Sequence, residues 1–141
     1  MFLNKIINHI QNILIMIVKQ LSVFLENRAG RVNEVAKVLA ANGVDMLAFS
    51  LAESSDFGIL RILVSDNDVA KKALKEASFA VKESDVVCVE VSNKPGALLE
   101  IVEGISSKNI SIEYMYAFAQ GDKANIVIKT ADIDACINAL K

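Results

Sequence analysis

Histidine occurs once in this chain, cysteine twice and proline once, and each scarcity narrows what the sequence can encode. His9 stands alone in the leading stretch, on the polar side of its apolar pattern, and reads as a solvated residue. No Ser/His/Asp or Cys/His nucleophile pair can be assembled around it. Cys88 and Cys136 lie far apart with no CxxC spacing, which excludes a zinc knuckle and a disulfide framework. Both repeat in phase with apolar neighbours, so they read as buried thiols of a cytoplasmic protein. A phosphate loop of the GxxxxGK type is missing. So is any cluster of Lys and Arg: the net charge is -2, and work on phosphate backbones needs the opposite balance. No apolar run is long or continuous enough to cross a bilayer. Neither nucleic acid nor membrane is an expected partner, and no enzymatic activity is expected.

What is present is apolar and patterned. Hydrophobic residues make up 53% of 141 and charged residues 23%, which excludes a largely disordered chain and suits one ordinary domain or two small ones. The first fifteen residues, MFLNKIINHIQNILI, differ from the rest. Phe2, Ile6, Ile10 and Ile13 recur at helical spacing with Asn4, Lys5, Asn8 and Asn12 between them, a pattern that predicts an amphipathic helix. One lysine and no small-residue cleavage site argue against a signal peptide. The competing reading takes Met16 as the start and residues 1–15 as an extension.

After residue 15 the chain repeats itself. Asn27 and Asn93 are 66 residues apart, as are Gly30 and Gly96. The same offset pairs Val23 with Val89, Glu34 with Glu100, Asp56 with Asp122, and Asp66 and Asp68 with Asp132 and Asp134, without a gap. Hydrophobic phase survives the shift. Leu21, Val23 and Leu25 alternate as a strand face, and so do Val87, Val89 and Val91. Val32, Val35, Ala36 and Leu39 mark a helix face that Leu98, Ile101, Val102 and Ile105 repeat.

Each copy reads strand, helix, strand, strand, helix. In copy one, strands are predicted at about 17–25, 44–53 and 57–65 and helices at about 30–42 and 67–77, with ASFAVKES as a fourth strand. SSDFG and QGDKA are predicted as the central hairpin turns. The fold class is α+β: two tandem ferredoxin-like βαββαβ units, divided as an extension over 1–15, a first domain over 16–83 and a second over 84–141. Copy two lacks its last strand. The edge from Val86 to Val91 would then be open, and open edges are normally paired or covered. The candidates to fill it are the first fifteen residues, another chain, or a rearranged terminal strand of copy one.

The repeated phrases ENRAGRVNEV and SNKPGALLEI fall where the first strand hands over to the first helix. Helix N-termini carry unpartnered N–H groups and partial positive charge, so such a loop suits an anion. Gly30 and Gly96 allow close backbone approach, Asn27 and Asn93 can cap the helix or bind a small molecule, and Pro95 fits a helix start. Plain capping and a tight turn explain the same residues. The acids Asp66, Asp68, Asp132 and Asp134 precede the second helix of each copy and read as N-caps and complements to the helix dipole rather than metal ligands. Ile112, Tyr114, Tyr116 and Phe118 share one strand face; without basic residues around them, sheet packing or a homodimer interface is expected rather than base stacking.

The stretches ENRAGRVNEVAKVLAANGVDMLAFSL and VSNKPGALLEIVEGISSKNISIEYMYAF both resemble the ACT domain, a small-molecule-binding regulatory module of amino-acid metabolism. The resemblance runs from about Met16 to Lys141 and departs from the family pattern at Ala29, where proline is usual, and at the absent last strand. It implies a free amino acid bound where two ACT domains meet, without a cofactor or a metal. It assigns one pocket to Leu25, Glu26, Asn27, Arg28, Ala29 and Gly30 facing Ser111. It assigns the other to Val91, Ser92, Asn93, Lys94, Pro95 and Gly96 facing Asp45. Glu26 or Asp45 would accept from the ligand's ammonium group. The loops differ in charge, so the two pockets are expected to bind unequally. A homodimer and a regulated enzyme of amino-acid metabolism are the implied partners. The alternative is a regulatory interaction subunit whose pockets are vestigial.

Overall fold

The computed structural model describes residues 3–10, 13–53 and 56–141, and their backbone gathers into two compact units, described one at a time. The side chains of residues 3–10 lie outside this description.

The first unit holds residues 19–84. Its strand order is β3 (Met46–Glu53), β4 (Phe57–Val64), β2 (Ile13–Glu26) and β5 (Ala80–Ser92), where β2 contributes its second half and β5 its first five residues. Helices α1 (Arg31–Ala41) and α2 (Asn67–Glu76) complete it. The alternation of β2 turns Leu21, Val23 and Leu25 to one side, where they meet Leu60, Ile62 and Val64 of β4, Val35 and Leu39 of α1, and Ala70 and Leu74 of α2 in one core. Both helices therefore cover one face of the sheet.

The second unit holds residues 3–18 and 85–141. Its remaining elements are β1 (Leu3–Ile10), α3 (Ala97–Ser106), β6 (Ile112–Gln120), β7 (Lys123–Thr130) and α4 (Ile133–Ala139). Strand order runs β2, β5, β7, β6, with β1 antiparallel on the outer side of β2 from Leu3 opposite Val18 to Ile10 opposite Ile13. Val87, Val89 and Val91 of β5 pack with Ile101 and Ile105 of α3, Ile126 and Ile128 of β7, and Cys136 and Ile137 of α4.

Ile15 belongs to that second core and is fully buried there, with Ile13 and Ile17 packed partly against it. The edge of β5 that was expected to be open is thus paired with the first half of β2. A fourteen-residue strand reaches about 46 Å, enough to serve as the first strand of one unit and the last of the other.

The helix expected over the leading residues is replaced by strand. Leu3–Ile10 is β1, and Ile13 to Ile15 open β2. The reason lies in composition: closely spaced isoleucines are stiff at χ1 and favour a pleated surface, while asparagines weaken a helix. The fourth strand expected from ASFAVKES is continuous with the first strand of copy two, because no glycine or proline interrupts Ala80 to Ser92. The turn expected at SSDFG falls partly outside the described residues. That at QGDKA forms as expected, with Gln120 opposite Lys123 and Gly121 at φ 64°.

The helix faces are centred one position off expectation. Val35 and Leu39 are buried with Val38 packed beside them, whereas Val32 is 41% exposed and Leu98 is 52% exposed. On β6 a register shift between Ile112 and Tyr114 separates the apolar set expected to share a face. Ile112 and Met115 pack on the helix-side core, and the half-buried Tyr114, Tyr116 and Phe118 take the opposite face.

Asp66 and Asp132 cap α2 and α4 as expected, their Oδ1 atoms accepting from the N–H groups of Val69 at 3.1 Å and Ala135 at 3.0 Å. Among the described residues no group of three or more His, Cys, Asp or Glu is placed to hold a metal, and no helix is long and apolar enough to cross a membrane.

Candidate functional site

The two copies of the loop fold alike, down to individual hydrogen bonds. In the first, Arg28 N–H donates to the Glu26 carbonyl at 2.8 Å and Glu34 N–H to the Gly30 carbonyl at 3.0 Å. In the second, Lys94 N–H donates to Ser92 at 3.0 Å and Glu100 N–H to Gly96 at 3.2 Å. Gly30 and Gly96 hold the N-cap positions at φ 88° and 91°, left-handed backbone that a side chain resists. Neither helix is capped by a side chain, so Asn27 and Asn93 do not serve as caps. Pro95 stands before the cap glycine rather than in the first helical turn, because Gly96 supplies the bend that starts α3.

All six residues expected in the first loop, Leu25 through Gly30, line a cavity of about 350 Å³. Its other walls come from the same unit: Arg31, Val32 and Asn33 open α1, Leu51 and Glu53 end β3, and Gly58 starts β4. Antiparallel pairing of β3 with β4, Leu51 opposite Leu60 and Glu53 opposite Gly58, brings the end of β3 up to the loop. Val32 and Leu51 are the exposed apolar walls, which explains why an apolar residue at the start of α1 is not in the core.

Charge sets the first loop apart. Arg31, with 12% of its side chain exposed, pairs with Glu34, reaches Glu26 at 3.6 Å, and lies over the Phe79 ring at 4.3 Å. Arg28 holds Glu26 and Glu34 at 3.5 Å each. The positions of Glu26 and Arg31 in copy two are Ser92 and Ala97, so this network has no counterpart there. Sequence reading missed Arg31, Val32, Asn33, Leu51, Glu53 and Gly58. The available signal was Arg31 itself, a charged residue at the first helical position where the second copy has Ala97.

In the second loop Val91 is buried, Ser92 is half-buried, and Asn93, Lys94, Pro95 and Gly96 are exposed. Asn93 N–H donates to the Asp122 carbonyl at 2.8 Å, which ties this loop to the hairpin of its own unit. Ser111 is exposed just before β6. Asp45 is exposed just before β3, where its N–H donates to Ser65 Oγ at 2.9 Å, and it lines a different hollow of the first unit. Each of these two residues lies in the unit opposite to the loop with which the family arrangement pairs it.

The repeated loop, its glycine hinges and the βαββαβ order are those of an ACT domain, and the family model for the ACT domain pair matches residues 16–140. The chain belongs to the ACT domain pair family. Among solved structures, this ACT pair is similar to protein BT0572 from Bacteroides thetaiotaomicron, with 48% identity over 89% of this chain and 88% of that one and a TM-score of 0.82. It shares the fold of the regulatory subunit of aspartate kinase from Thermus thermophilus, at 13% identity over 89% and 93% of the two chains and a TM-score of 0.63. It likewise matches aspartokinase III of E. coli at 15% identity and a TM-score of 0.57, over 91% of this chain and 32% of that enzyme. No curated protein matches it. An ACT pair is a regulatory type of fold.

Proposed function

We propose that this ACT pair is a non-catalytic regulatory protein that binds a free amino acid in the pocket of its first loop. The observation that carries the reading is the cavity lined by all of Leu25 to Gly30. Beside it, the uncapped first turn of α1 offers N–H groups and the positive end of a helix dipole to a carboxylate. The second loop, with Ser92 and Ala97 in place of Glu26 and Arg31, is the weaker site.

The fold neighbours support a regulator of amino-acid metabolism, since the Thermus protein is by name a regulatory subunit of aspartate kinase. A cytoplasmic homodimer acting on such an enzyme is part of this proposal. Phe49, 65% exposed on β3, favours as a second reading an interaction subunit whose pocket is no longer used.

The test is a thermal-shift screen of the whole chain against the twenty amino acids, because a ligand that binds only the folded state raises Tm. A rise with one or a few related amino acids supports the sensor. No rise in a folded, partner-competent protein supports the interaction subunit. Gly30→Val then separates ligand response from partner binding.

A further inference from the structure

We propose that Glu53 is the carboxylate that receives the ligand's ammonium group in the first-loop pocket, and that the ligand's side chain is uncharged and aliphatic. This rests on the amino-acid reading above.

The cavity is lined by two carboxylates and two guanidiniums, and their pairings divide the work. Glu26, the acceptor expected from sequence, faces both Arg28 and Arg31. Its charge is answered twice. Glu34, beside the pocket, holds the same two guanidiniums. The Glu53 side chain makes no ion pair or hydrogen bond among the described residues. An ammonium group entering the cavity therefore finds at Glu53 a negative charge that no group among the described residues already neutralises.

The same accounting selects the side chain. A ligand with an acidic side chain meets guanidiniums whose charge Glu26 and Glu34 already answer, with only the buried Nε of Arg31 left without a hydrogen-bond partner among the described residues. One with a basic side chain needs a second unanswered carboxylate, and Glu26 is spoken for. What remains open are the apolar walls Val32 and Leu51, the latter 56% exposed, which an aliphatic side chain would cover. At the repeat offset the counterparts of Glu53 and Leu51 are Ala119 and Ala117, so the second unit offers neither the acceptor nor the wall. One site per chain follows.

Calorimetric titration of the full chain with leucine, isoleucine and valine tests this against lysine, aspartate and the 2-hydroxy acid analogue of leucine, which exchanges ammonium for hydroxyl. Expected are an aliphatic amino acid binding one per chain, a hydroxy acid at least tenfold weaker, and Glu53→Gln reducing amino-acid affinity at least tenfold while narrowing that gap. Glu53 is exposed at a strand end, and an unchanged Tm without ligand verifies that the variant folds. Equal affinity of Glu53→Gln and wild type for an amino acid overturns the Glu53 assignment and leaves the amino-acid reading standing. Lysine or aspartate binding tighter than leucine overturns the side-chain class, and two equivalent sites overturn the stoichiometry. No binding of any amino acid overturns the reading itself and the proposal with it.

Discussion

Arg31 shows how a single side chain departs from its repeat. A guanidinium that is 12% exposed needs partners, and Arg31 engages its two terminal nitrogens with Glu26 and Glu34 and its face with the Phe79 ring, while its buried Nε has no hydrogen-bond partner among the described residues. Arg31→Ala removes these contacts and the packing of the aliphatic stem. A loss of about 1–3 kcal/mol is expected in urea denaturation, together with weakened ligand binding as Glu26 and the loop lose their anchor. Cys88 illustrates a buried group with a different consequence. Burial, helped by the nearby Glu90, pushes its thiol up to about 12, and burial also raises Cys136. The folded value of Cys88 lies above the ordinary 9.0, so its contribution to stability is complete below pH 9 and is lost as pH rises from there toward 12. At pH 8 neither thiol of the native protein should react with an aromatic disulfide reagent. Both should react once urea unfolds the chain.

Between elements, polar contacts decide where helices begin and how they are held. The caps of α2 and α4 were legible as aspartates three residues ahead of an amide, since capping depends on chain-local geometry. Asp66→Ala and Asp132→Ala should each lower stability by about 1 kcal/mol, read from urea midpoints, and the effects should add because the caps belong to different units. The start of α2 is also tied across the first unit. Asn67 Nδ2 donates to the Lys19 carbonyl and to Glu83 Oε2, both at 3.1 Å, and Lys71 reaches Glu83 at 3.3 Å. The Asn67 hydrogen bond, aided by Lys71 and opposed by burial, lowers the Glu83 pKa below its ordinary 4.5. A lowered carboxylate stabilises the fold above pH 4.5 and loses that contribution as pH falls through the folded value. Glu83→Gln should accordingly flatten the acid side of a Tm-against-pH profile while leaving its slope above pH 6 unchanged. Sequence pattern did not reveal this tie, because Asn67 and Glu83 are brought together only by packing α2 beside β5.

At the scale of the molecule, the main result is that one strand serves two units. The edge of the strand that runs along Val87 to Val91 was legible as one that needs a partner, since its valines alternate as a buried face. The partner itself was not. Ile15 fills the second core from a stretch whose isoleucines also fit a helical spacing. Ile15→Ala should cost about 2–5 kcal/mol, the usual range for emptying a fully buried aliphatic site, as measured by denaturant unfolding. Removing residues 1–15 should cost more, because β1 and the first residues of β2 go with them. A truncated chain with unchanged Tm would show that another strand can take that place.

The sequence by itself determined the duplication, the order of strands and helices in each copy and the alternating core faces. These follow from periodicity and from glycine and aspartate chemistry, which act over a few neighbouring residues. The resemblance to the ACT domain pointed to the six loop residues that line the cavity. Tertiary structure alone decided which strand completes the second unit, which carboxylate in the pocket has no partner among the described residues, and which apolar residues at the start of α1 and the end of β3 stay uncovered. Each of those depends on residues distant in the chain arriving at one place. Local pattern carries no record of such meetings, because pairing between non-adjacent strands and neutralisation of one charge by another are settled only when the sheet closes and the helices pack upon it.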